Sequence, residues 1–225
     1  FDADRWPLDS INIKLHTQRA VYNRQRTKTF GKTPHPFEQI ATQTTLKASS
    51  APTLRITLLG GLQLYQGETA LKGAFSSRQS DRTLLALLVL NAGKDMSCAH
   101  LAESLWPDSS LIRANHSLSN ALSRLKTGIS LPNGDCPYLV RNRGAVCLRR
   151  DLIESDVLTL QQLCKSFVAD DLTLDQAVEI VQQIRDVYGG EILPGDEDCL
   201  VLMHERMRLK EQVVEIMLEL SSRLE

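Results

Sequence analysis

At 225 residues the chain is long enough for two small domains, and a composition 42% hydrophobic and 24% charged is that of an ordinary globular protein. Its longest apolar run, Leu84 to Leu90, is far shorter than a bilayer span and sits inside a helical pattern, which argues against a transmembrane role. The net charge of −1 conceals a polarity: +4 over residues 1–50, +6 over 51–150 and −11 over 151–225. Lysine and arginine displace the counterions of a polyanion while acidic groups are repelled by it, so a polyanion-facing part joined to an acidic part is one reading. Solvated surfaces are the other.

Residues 1–50 are rich in Thr, Gln, Asn and basic side chains and lack sustained apolar periodicity. Ile11–Tyr22 and, after His35-Pro36, Phe37–Leu46 are candidate helices, and residues 48–52 read as a linker. The first residue is Phe, and no apolar h-region with a small-residue cleavage site follows it. Residues 1–52 are therefore read as an arm, or as the tail of an upstream domain of a longer protein.

From Leu54 the pattern changes. Leu54–Leu59 and Leu62–Tyr65 alternate apolar and polar residues around Gly60-Gly61, as two strands of an antiparallel meander do, with residues 70–72 a possible third. Three helical segments follow. The first carries Leu84, Leu85, Leu88 and Val89, with Ser76-Ser77 as its cap and Gly93 at its end. The second, capped by Ser97, carries Cys98, Leu101, Ala102 and Leu105 and stops at Pro107. The third runs over residues 111–126. After a Pro/Asn/Gly turn, residues 138–143 and 145–150 read as a β-hairpin turning at Gly144.

On a helical wheel of about 100° per residue, Leu111, Ala114, Leu122 and Leu125 fall within about 40° of Leu118 and form the stripe to be buried. The opposite side holds Arg113, His116, Asn120, Ser123 and Arg124. Arginine can pair bidentately with guanine and asparagine with adenine, while Ser and His offer single contacts, so this face suits a DNA major groove. A polar face is also what any surface helix shows. The hairpin favours DNA, because Arg141, Arg143, Arg149 and Arg150 place four guanidinium groups within ten residues, and such forks match phosphate geometry. A charged edge hairpin guarded against aggregation is the alternative.

Beyond Asp151 strand signals are lacking. Leu158–Val168, Leu174–Tyr188 and Cys199–Leu224 read as three helices, each apolar on one stripe in the manner of helical-repeat units. The acidic residues 196–198 precede the last helix, where a partner-facing role and a helix-dipole role are equally natural.

Five cysteines, Cys98, Cys136, Cys147, Cys164 and Cys199, show no C-x-x-C spacing and read as free thiols of a cytoplasmic protein. No Cys/His set has metal-ligand spacing, so neither metal nor cofactor is expected. The sequence also lacks a P-loop, G-x-S-x-G and H-E-x-x-H, which argues against an enzyme.

Residues 54–62, Arg78 with Leu84–Leu88, the block Leu101–Asp108 containing Leu105-Trp106-Pro107-Asp108, and Asn115–Leu125 together resemble the DNA-binding domain of SARP-type transcriptional activators. That domain is a variant of the OmpR-type winged helix. Farther on, residues 188–195 and 205–209 resemble the bacterial transcriptional activation domain that follows it in this family. The helical part is shorter than is usual there, and Lys126 stands where a second Arg is common. The resemblance implies an α+β winged helix-turn-helix with an N-terminal antiparallel sheet over residues 53–150, then an all-α, tetratricopeptide-like module over 151–225. It implies promoter binding at direct repeats, recruitment of RNA polymerase and a homodimer on DNA; the short apolar run leaves no membrane partner expected. Trp106 would be a core or turn residue. Arg78 and Arg82 would lie near phosphate at the start of the first helix, although a salt bridge is equally open for Arg82. The rival reading is an interaction module that uses the winged helix and the acidic helices as a docking scaffold.

Overall fold

A computed structural model of the protein describes residues 51–71, 77–168, 172–196 and 199–224. The helices expected at Ile11–Tyr22 and Phe37–Leu46 lie outside the described residues, as do most of the linker, Ser76, Glu197 and Asp198. Strands β1 (Leu54–Thr57), β2 (Gln63–Gln66) and β3 (Thr69–Ala70) form the expected meander, with Leu54 paired to Gln66 and Ile56 to Leu64. Leu54 and Ile56 point inward and are wholly buried, whereas Arg55 faces out over the Tyr65 ring. This is the alternation of a sheet covered on one face.

Helices α1 (Gln79–Leu90), α2 (Cys98–Leu105) and α3 (Leu111–Ile129) pack on one another. Ser97 caps α2 by accepting the His100 N–H, as its position implied. Arg78, rather than a serine, occupies the N-cap of α1, and Ser110 caps α3 without a side-chain bond. Leu118, Leu122, Leu125 and Ile129 of α3 are buried, each removal from water contributing about 1.5–3 kcal/mol. Leu111, expected in that stripe, is instead 63% exposed in the first turn of α3.

The hairpin of β5 (Leu139–Asn142) and β6 (Ala145–Leu148) follows, turning through Gly144 at φ +73°. A short strand that the sequence did not disclose, β4 (Met96–Ser97), pairs with β6 and ties the hairpin to the start of α2. Another is β7 (Ile153–Ser155), which runs parallel to β1 and completes a sheet of order β3-β2-β1-β7. Strand signals were thus not absent beyond Asp151. Three residues between a 3-10 turn and a helix are too few to show alternation.

Helices α4 (Asp156–Val168), α5 (Leu174–Val187) and α6 (Leu200–Arg223) complete the described chain. A capping box between Thr173 and Gln176 starts α5. Asp156 begins α4, and its carboxylate accepts the backbone N–H of Val157 and those of Leu58 and Leu59 beyond β1, at 2.7–3.0 Å. The α5–α6 loop returns to the same place: Leu193 N–H donates to the Leu58 carbonyl and Gly60 N–H to the Glu191 carbonyl, each at 2.9 Å. A Cβ on Gly60 would stand 2.6 Å from the Gly189 oxygen, so glycine is required there. The described residues from Ala51 to Leu220 belong to one compact unit, and the compositional break at 150/151 falls inside it. No helix among the described residues is long and apolar enough to cross a membrane.

Candidate nucleic-acid interface

The outward side of α3 carries Arg113, His116, Asn120 and Ser123, all exposed, while Ala114, Leu118, Ala121 and Leu125 anchor the helix from behind. His116 and Asn120, one turn apart, are hydrogen-bonded to each other, with 3.2 Å between Nδ1 and Nδ2. Ser123 takes part through its carbonyl, which accepts the Thr127 hydroxyl at 3.0 Å. The face also holds a residue that the wheel left out: Ile112, 84% exposed in the first turn.

Arg124 does not belong with these side chains. Its Nε and Nη2 donate to the two carboxylate oxygens of Asp81 on α1 at 2.6 and 2.7 Å, and Asp81 is wholly buried. The hydrogen bond to Asp81, ahead of the opposing desolvation, raises the Arg124 pKa and keeps it charged. The wheel put Arg124 at the edge of the polar side, and that edge faces α1 rather than solvent. A sign was present in the sequence, because Asp81 interrupts the apolar stripe three and four residues before Leu84 and Leu85, and a buried carboxylate requires a partner. Next to it, Arg82 donates from Nε and Nη2 to Asp196 at 2.8 and 2.5 Å, so the salt-bridge alternative describes Arg82. Asp196 is therefore a buried structural group, not a partner-facing one.

On the hairpin, Arg141 and Arg143 are exposed, and among the described residues no ion pair engages them or Arg113. Asn142 between them donates to Asp95 at 3.0 Å, which braces the strand end against the α1–β4 loop. The other two guanidinium groups are committed. Arg149 pairs with Asp151 at 2.5 Å, and Arg150 donates to the Ile153 carbonyl at 3.3 Å. Arg78 is exposed at the N-cap of α1, where its carbonyl accepts the Asp81 and Arg82 N–H groups. The exposed face of α3 can donate and accept hydrogen bonds, and the hairpin carries two exposed cations with no ion-pair partner among the described residues. Among the described residues no group of His, Cys, Asp and Glu has the arrangement of a metal site.

No family model matches the sequence, and no curated protein matches it. Among solved structures the fold is similar to that of Mycobacterium tuberculosis EmbR in a complex with a low-affinity phosphopeptide, with a TM-score of 0.58 and 20% identity. The match covers 73% of this chain and 44% of that one, so the chain spans less than half the length of this neighbour. At such identity the likeness is one of fold.

Proposed function

We propose that the chain is a sequence-specific, DNA-binding transcriptional regulator of SARP type. In this reading residues 53–150 act as an OmpR-like winged helix, with α3 in the major groove and the β5–β6 hairpin as a wing against the neighbouring backbone or minor groove. The observations that carry it are the exposed Arg113/His116/Asn120 face of α3 and a hairpin whose Arg141 and Arg143 have no carboxylate partner among the described residues. Exposed guanidinium groups outside any ion pair of the described residues suit phosphate, and a polar helix face suits a groove. The likeness of fold to EmbR is compatible with the reading. Residues 151–225 would act as part of a helical activation module, and by the same family logic the partners are duplex DNA at direct repeats, a second copy bound alongside, and RNA polymerase. No catalytic role is proposed.

A filter-binding titration of the chain on promoter-length duplexes at several salt concentrations tests this. Binding that weakens log-linearly with salt is expected, and its absence at low salt would contradict the reading. One observation favours a protein-docking module instead: Leu200, Met203, Met207 and Leu218 lie exposed along one side of α6. Duplex binding decides between the two.

A further inference from the structure

The bond between His116 and Asn120 fixes more than the two residues' positions. An amide nitrogen only donates, so with Nδ2 of Asn120 facing Nδ1 of His116 the ring nitrogen is the acceptor of this bond. Asn120 then retains one N–H and its Oδ1, and its side chain is exposed on α3. A donor next to an acceptor is the complement of the adenine major-groove edge, which presents the N7 acceptor beside the N6 donor. An asparagine free to rotate presents this pair in only some of its orientations; one held by a neighbouring ring is set in advance, and less ordering is lost on contact.

We propose that Asn120 reads one adenine of the operator and that His116 is the positioning residue that orients its amide. The inference rests on the DNA-binding reading and deepens it, from a polar helix face to a named base. His116 sits two turns or less from the N-terminus of α3, the end that enters the groove in helix-turn-helix docking. Among the described residues neither side chain is bonded to another element: both are exposed, and the buried stripe of α3 lies on the other side.

The test uses the 225-residue chain and duplexes it selects from a randomised pool, in which each adenine is replaced in turn by 7-deazaadenine, which lacks the N7 acceptor. Wild type is expected to lose about 5- to 100-fold in affinity at one adenine per half-site, the range of one bidentate base contact. Asn120→Ala should abolish that loss. His116→Ala should shrink it several-fold while the duplex is still bound, and His116→Gln, whose oxygen can accept the same Asn120 N–H, should restore it. Uniform tolerance of 7-deazaadenine by wild type, or an undiminished loss in Asn120→Ala, overturns the base assignment. Undiminished discrimination in His116→Ala overturns the positioning role. If no duplex is selected at all, the DNA-binding reading fails and this proposal with it.

Discussion

On α3, Arg124 is committed to an ion pair with Asp81, while Arg113 is exposed and in no ion pair among the described residues. Arg124 neutralises a carboxylate that is wholly buried, and removing one member of such a pair strands the other. Arg124→Ala is therefore expected to lower the unfolding free energy by about 2–3 kcal/mol, below the full range for a buried pair because the arginine is a third exposed. Arg113→Ala should leave stability within about 0.5 kcal/mol and weaken duplex binding instead. Urea melts and binding isotherms on the two variants separate the roles. The sequence made the polar side of α3 legible but not this division, because wheel angle reports direction and not what stands there. Tyr138 makes a related point. Its hydroxyl donates to the Pro52 carbonyl at 2.6 Å, and burial pushes its pKa up. A folded pKa above the unfolded value of about 10 means that stability is full below that pH and is lost as pH rises through the folded value. Tyr138→Phe should cost about 1 kcal/mol at pH 7 and flatten the alkaline loss, as melts between pH 7 and 11 would report.

At the scale of elements, the hairpin depends on Gly144, whose positive φ costs an L-residue about 1–2 kcal/mol. Gly144→Val should disorder the tip that carries Arg141 and Arg143. Duplex affinity should fall while the far-UV spectrum of the helices is retained, a pairing of results that circular dichroism and a binding titration on the same sample can check. The three helices, the meander and this hairpin were legible because each repeats its apolar pattern over several residues. β4 and β7 were not, since two or three residues cannot display a period of two. Both take their conformation from the strand beside them, Met96 from Val146 and Ile153 from Leu54. Leu111 has the right angle for burial yet is 63% exposed, since angle alone does not say what stands over a turn.

For the molecule as a whole, the parallel pairing of β1 with β7 joins the stretch before Asp151 to the stretch after it. Adjacent residues of α1 reinforce the union. Asp81 holds α3, while Arg82 holds Asp196, whose own carbonyl accepts from Arg206 of α6 at 3.0 Å. A composition break could mark a change of charge at 150/151 but could not show that one sheet crosses it. Within the unit that holds residues 51–220 we expect one cooperative urea transition by far-UV circular dichroism. Asp196→Ala should shift that transition to lower urea without splitting it, by about 2–4 kcal/mol, because Arg82 loses its carboxylate. The central claim is that α3 and the hairpin engage duplex DNA. Its most direct test is the salt dependence of binding to a selected duplex for wild type and Arg141→Ala. The account predicts a linear fall of log affinity with log salt in wild type and, in the variant, weaker binding with a slope shallower by about one phosphate contact. Equal affinity and equal slope in the two proteins, or no duplex bound at low salt, would contradict it.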